Sequence, residues 1–296
     1  MIKRIAIGFG FLLVVLLVAI AAAYAVGSSK VDQVHDVHTA RLAIRADSAT
    51  VARGAHLVAI NGCRDCHGQD LSGQVFADAP PFRVVAANLT PGKGGIGAHY
   101  TPEDFDRAVR HGVKPDGRSV FIMPSAAYHQ GLSDADMAAM IAYLQQLPPV
   151  DNELPQTEVR LLGRILSVGP VDPAFEVNVA PARAEAPAPA PTAEYGAYLA
   201  ATCAYCHGAT LEGMERPPNP ESPPAPSLAA SGRWTLDEFK STLRTGVTPS
   251  GKALDPTFMP WTFTARMTQT ELDALYAYVR SATGAATATA QAGADS

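Results

Sequence analysis

Every cysteine of this chain lies in one of two copies of a single pattern. Cys63-Arg64-Asp65-Cys66-His67-Gly68 returns as Cys203-Ala204-Tyr205-Cys206-His207-Gly208. Residues three and four apart share a helix face, so each motif sets two thiols and an imidazole side by side. The thiols can reach both vinyl groups of one porphyrin while the imidazole reaches its iron, and C-x-x-C-H is the attachment pattern of c-type haem. The sequence therefore predicts two covalently attached haems c. Cys63, Cys66, Cys203 and Cys206 supply the thioethers, and His67 and His207 bind the iron. A zinc site shared by the four cysteines would leave both histidines without a role. A thioredoxin-like redox pair needs a strand–helix context that the flanking residues lack, and disulfides within each pair would explain neither histidine.

The sixth iron ligand is the next question. The second copy contains no histidine besides His207, which leaves Met214, Met259 and Met267. Met214 falls on the His207 side of the haem, and Met267 sits at the mouth of the last helix. Met259 lies 52 residues after His207 and matches Met123, 56 residues after His67. Both precede a proline, which stiffens the loop. Met123 and Met259 are the expected ligands. In the first copy His56, His99, His111 and His129 compete with Met123. His56 lies on the helix that enters the motif, His111 suits a helix C-terminus, and His99 and His129 read as loop residues; Met137 and Met140 fit a core stripe. His/Met ligation raises the potential relative to harder ligands. It also leaves no open position on the iron, which favours electron transfer over catalysis there.

The elements that must position these groups also occur twice. Leu71, Gly73, Tyr100-Thr101, Phe105, Arg110, Gly112, Gly117 and Met123-Pro124 return as Leu211, Gly213, Trp234-Thr235, Phe239, Arg244, Gly246, Gly251 and Met259-Pro260. Each copy predicts three main helices. The first, 52–60 or 194–201, runs into the motif. The second opens at Thr101 with Pro102 and Asp104, or at Thr235 with Glu238, and stops at Gly112 or Gly246. The third opens at Ser133 or Thr268 and carries apolar positions at helical spacing. No alternating strand run stands out, so the expected fold is all-α. About 100 residues with long loops make a thin core, which a buried haem would fill. The domains read as 47–149 and 192–284, joined by an Ala/Pro-rich linker at 150–191 and followed by a disordered tail at 285–296. Arg110 and Arg244 read either as haem-propionate contacts or as solvated helix ends. Tyr100 and Trp234 read either as propionate donors or as helix-start packing.

Residues 1–28 form the expected membrane anchor and 29–46 a stalk. Ile5 to Val26 is uncharged over 22 residues, roughly 33 Å of helix, enough for a ~30 Å hydrocarbon core. Lys3 and Arg4 precede it, which puts the N-terminus in the cytoplasm. The competing reading is a signal peptide cleaved after Ala23-Tyr24-Ala25. Either way the remainder is exported. The expected location is the bacterial cytoplasmic membrane, single-pass, with the haem domains on the periplasmic side. The 296 residues suggest about two domains. Twenty-three basic against 28 acidic residues, net -5, argue against a nucleic-acid partner.

The C-x-x-C-H-G motif after an N-terminal helix, the Met-Pro loop, and a last helix carrying Tyr143 or Tyr278 resemble class I c-type cytochromes. Asn88-Leu89-Thr90-Pro91, Gly95-Ile96-Gly97, Arg110-His111-Gly112-Val113, Asp116-Gly117 and Met123-Pro124 are similar to the cytochrome subunits of membrane-bound alcohol and aldehyde dehydrogenases. Those subunits commonly carry three haem motifs; this chain has two. The resemblance implies two tandem class I domains, and a backbone carbonyl, often of proline, on the proximal imidazole; Pro81 and Pro226 are the candidates. It further implies single-electron relay from a dehydrogenase or quinol-oxidising complex to an oxidase or soluble cytochrome. The alternatives are a dihaem redox enzyme, such as a peroxidase or sulfur-compound dehydrogenase, and a dedicated subunit of a terminal oxidase complex.

Overall fold

The computed structural model describes residues 2–39, 41–124, 131–169, 171–216 and 222–294. It is mostly helical and divides into two compact units.

One unit comprises Met1–Thr39, Cys66–Ala126 and Pro148–Ala180. Its helix α1 (Ile2–Val31) is exposed along almost its whole length, and Gly27 is its one buried residue among those described. The expected stalk is not free chain. Val37 is buried, and the His35 amide donates to the Gly117 carbonyl at 2.8 Å. A small antiparallel sheet, β1 (Gln74–Ala79), β2 (Phe82–Ala86) and β3 (Glu158–Val159), corrects the strictly all-α expectation. Its alternation is broken by a register shift between Val75 and Ala77, and β3 arrives from more than 70 residues away. Neither feature leaves a period-2 signal within one window. The same unit holds α4 (Pro102–His111), set by the Thr101/Asp104 capping box and ended by Gly112 at φ 68°, and α6 (Leu161–Leu166). The segment read as a linker thus contributes a strand and a helix, because Val159 to Val168 is apolar enough to pack.

The other unit comprises Ala40–Asp65, Ala127–Leu147 and Pro181–Ser296. It contains α2 (Ser48–Ile60), α5 (Asp134–Leu144), α7 (Ala193–Leu199), α8 (Ala201–His207), α9 (Leu236–Thr245), α10 (Trp261–Thr264) and α11 (Gln269–Ala294). The helix α3 (Cys63–His67) begins in this unit and ends in the other. α11 continues to Ala294, into the segment expected to be a disordered tail; that run is rich in alanine, the strongest helix former, and has no proline.

First and last helices of each repeat cross at a glycine. A Cβ on Gly54 of α2 would lie 1.9 Å from the Ala139 carbonyl oxygen of α5 and 2.9 Å from Tyr143 Cβ. A Cβ on Gly196 of α7 would lie 1.9 Å from the Ala274 oxygen of α11 and 2.7 Å from Tyr278 Cβ. The backbones therefore touch, and Leu57, Met137, Met140 and Ile141, or Leu199, Leu272, Leu275 and Val279, close around each crossing. Polar contacts join the two pairs of helices. His56 Nε2 lies 2.9 Å from both carboxylate oxygens of Glu271. The Tyr198 hydroxyl donates to Asp136 Oδ2 at 2.6 Å and accepts from the Ser133 amide at 3.1 Å. Arg53 completes the ion pair with Asp136.

Candidate haem-binding sites

His67 ends α3 and His207 ends α8. His207 Nδ1 meets the Pro226 carbonyl oxygen at 2.7 Å. His67 Nδ1 meets the Ala87 carbonyl oxygen at 2.8 Å. Pro81, the candidate in the first repeat, does not play this part. It lies in the β1–β2 turn, and its carbonyl accepts from the Arg160 amide. Position along the loop decides the acceptor, 20 residues past one histidine and 19 past the other. A backbone carbonyl on Nδ1 leaves Nε2 as the nitrogen with a free lone pair and fixes the ring. Burial pushes both imidazoles below their ordinary pKa, against a smaller opposing effect of the carbonyl, which keeps them neutral.

The turn after each histidine is the same in both repeats. Leu71 and Leu211 are buried and left-handed, at φ 62° and 60°. A leucine in this region is strained. It is held by hydrogen bonds from the Leu71 amide to Gly68 and from the Gly73 amide to His67, repeated as Leu211 to Gly208 and Gly213 to His207. Gly73 and Gly213 then let the acceptor segment approach. Their Cβ atoms would lie 2.5 Å from the Asn88 nitrogen and 2.7 Å from the Ala225 oxygen.

Opposite elements carry the methionines. After each second helix the chain makes a matched turn, closed by Val120 to Gly112 at 2.9 Å and by Leu254 to Gly246 at 2.7 Å. It then enters the Met-Pro segment. Met123 and Met259 are both partly buried. The Met259 loop is fixed by its amide on the Asp255 carbonyl and by the Trp261 ring, which lies against Gly246, the αL cap of α9. Thr264 ties α10 to the Leu243 carbonyl at 2.8 Å. The competing His129 lies outside the described residues. His111 is buried on the Asn178 carbonyl at 2.9 Å, and His56 is engaged with Glu271.

The surrounding candidates are packed in different ways. Arg110 is fully buried and paired with Asp106. Arg244 donates to the Ala265 and Met267 carbonyls, both at 3.3 Å. Neither is a solvated helix end. Tyr100 stands edge-on to Phe105, and burial with the nearby Asp104 and Asp116 pushes its phenol up to about 12. Trp234 takes the Tyr276 hydroxyl on its carbonyl at 2.5 Å. The αL leucines and the Ala87 acceptor escaped the sequence reading. The repetition of L-x-G after each motif was the available signal.

The donor set fits a covalent haem in each repeat: two thiols, a neutral imidazole already oriented, and a thioether. Burial pushes the Cys203 thiol up to about 11 and raises Cys206 as well, the opposite of a reactive C-x-x-C pair. Among the described residues no three His, Cys, Asp or Glu side chains converge on one point, which disfavours a shared zinc site.

The sequence profile of the cytochrome c family matches residues 51–148 and 193–283. The chain belongs to the cytochrome c family. Relatives of this cytochrome include the fructose dehydrogenase cytochrome subunit of Gluconobacter japonicus, 36% identical over 118 residues, 37% of this chain and 24% of that protein. A nicotinate dehydrogenase component of Pseudomonas putida is 28% identical over 221 residues, 67% of this chain and 18% of that protein. The chain spans about a quarter or less of the length of these two relatives. A dihaem cytochrome c-type protein of Cereibacter sphaeroides is 28% identical over 234 residues, 67% of this chain and 74% of that protein. This cytochrome binds two covalent haems c and transfers electrons through them. Its similarity is to cytochrome subunits of dehydrogenases.

Proposed function

We propose that Cys63 with Cys66 and Cys203 with Cys206 carry the two haems, that His67 and His207 bind the irons proximally, and that Met123 and Met259 close them distally. The chain then relays single electrons from a dehydrogenase or quinol-oxidising complex to an oxidase or soluble cytochrome, with α1 as a single-pass anchor and the haem domains outside the cytoplasmic membrane. The observation that carries this reading is duplication of the whole arrangement. Each repeat has an imidazole on a main-chain carbonyl, an αL leucine turn, and a Met-Pro loop behind an αL-capped helix. Haem iron supplies the one-electron couple. The protein's own groups hold the imidazole ring, exclude water and place the thioether. Arg110, buried in α4, is suited to a propionate as a bidentate donor. The names of the relatives support a dehydrogenase as electron donor.

Carbon monoxide added to the fully reduced protein tests the ligand set. No change in absorbance is expected, because protein ligands close both irons. Met259→Ala should open one iron to carbon monoxide and lower one potential, and Met123→Ala should do so for the other. Carbon monoxide binding by the unaltered protein, or an unchanged potential in either variant, would remove that methionine as a ligand.

A further inference from the structure

We propose that α6 is a membrane-surface foot, lying in the outer interfacial layer of the bilayer that α1 crosses. The inference rests on the anchor reading of α1 and adds a second lipid contact from a segment more than 130 residues away in sequence.

Gly27 fixes the depth of α6. It is the one buried residue among those described in α1 and the first after the uncharged run Ile5–Val26. The main chain of α6 covers it: a Cβ there would fall 1.6 Å from the Arg164 carbonyl oxygen and 3.5 Å from Ser167 Cβ. Arg164 also grips Asp32, one turn further on, through both guanidinium nitrogens at 2.7 and 3.3 Å. α6 is thereby clamped where the apolar run ends, the level of the interface between hydrocarbon and headgroups.

The faces of α6 are inverted for a helix on a water-soluble protein. Gly163 and Ser167 are buried, Gly163 against the Pro81 carbonyl and Ser167 on the Gly163 carbonyl. The outward arc is wholly aliphatic. Leu161, Leu162 and Val168 are 65%, 45% and 44% exposed, and Ile165 and Leu166 complete the arc half-buried. Arg160 and Arg164 flank it with their charges turned to Asp78 and Asp32. An aliphatic face with basic flanks, held level with a membrane exit, has the composition of an interfacial helix. The exposed surface of α1 runs into this patch, so one lipid phase can cover both.

All four native cysteines belong to the haem motifs, so one added cysteine can carry a nitroxide. Full-length holo-protein in phospholipid nanodiscs is labelled in turn at Leu161→Cys, Leu162→Cys, Leu12→Cys in α1 and Val247→Cys as an exposed reference. Accessibility to oxygen and to a water-soluble nickel chelate is read with the haems reduced. A ratio of oxygen to nickel accessibility several-fold higher at 161 and 162 than at 247, approaching that at 12, is the expected result. A lipid signature at 12 with an aqueous one at both 161 and 162 overturns the foot while leaving the anchor, and frees the patch for a protein partner. An aqueous signature at 12 overturns the anchor and the foot with it. Leu161 is the most exposed residue of the arc, so its label disturbs no packing.

Discussion

Replacing Gly196 by alanine sets helix propensity against packing. Propensity alone predicts stabilisation of about 1 kcal/mol, since alanine outranks glycine by that much inside a helix. The structure predicts the reverse. The new Cβ would sit 1.9 Å from the Ala274 carbonyl oxygen, 2.6 Å from its carbon and 2.7 Å from Tyr278 Cβ, where ordinary contact begins at 3.4 Å. α7 and α11 must part by roughly 1.5 Å, and the obstacle is main chain, which cannot rotate aside. Overpacking costs about 1–3 kcal/mol, and a backbone obstacle belongs at the upper end. Subtracting the propensity gain leaves about 2 kcal/mol of destabilisation. For a domain of this size that is a fall in Tm of about 8–16 °C. Thermal melts followed by far-ultraviolet circular dichroism and by haem absorbance would measure it. Gly54→Ala, with the same 1.9 Å conflict against Ala139, should behave alike. A Tm that is unchanged or raised in either variant would refute the close-contact argument.

Tyr198→Phe removes the hydroxyl shared by Asp136 and the Ser133 amide, and should destabilise the fold by about 1–3 kcal/mol; an unchanged midpoint in denaturant titration would contradict it. Burial raises the Glu271 pKa, but hydrogen bonds from His56 and Thr268 outweigh burial and hold the carboxyl below its ordinary 4.5. Its contribution is therefore complete above that pH and lost as pH falls through the lower folded value, so stability should decline below about pH 4.5, and Glu271→Gln should flatten that part of the acid limb. Pro226→Ala keeps the carbonyl on His207 and should leave the potential of that haem unchanged, whereas Gly213→Ala, at φ 94° and 2.8 Å from the Ser227 nitrogen, should shift it; redox titration of the two variants separates the ring of Pro226 from its backbone.

Chemistry was legible in the sequence where it rests on residue type. Cys63, Cys66 and His67 announce themselves, and so do the caps at Thr101 and Thr235, because a hydroxyl three residues before an acid has one common use. Positions defined by main chain were not legible. Ala87 acts through a carbonyl that every residue possesses, so reasoning from side chains chose Pro81. The αL turn at Leu71 and Leu211 contradicts leucine's own preference and is imposed by hydrogen bonds around it. The β1–β2–β3 sheet was hidden because its register shift spoils the alternation and its third strand lies in a stretch whose prolines suggested a spacer. The helix pairs α2–α5 and α7–α11 were partly visible, since Tyr143 and Tyr278 recur, but that glycines mark their crossings requires knowing which backbones touch.

The bonds joining those helix pairs obey a rule of exchange. His56 and Tyr198 each lie two residues after the crossing glycine of their repeat, and Asp136 and Glu271 are the N3 acids of each last helix. His56 of the first repeat binds the acid of the second, and Tyr198 of the second binds the acid of the first. Swapping the repeats reproduces the contact, which is the signature of an isologous interface. The duplicated chain is thus folded upon itself as a homodimer is, with a peptide tether in place of free association. Two copies of either repeat carry complementary halves of that contact, tyrosine with glutamate or histidine with aspartate. The tether fixes which repeat meets which, and so converts a symmetric pair into an ordered one, with distinguishable members between which electrons can have a direction.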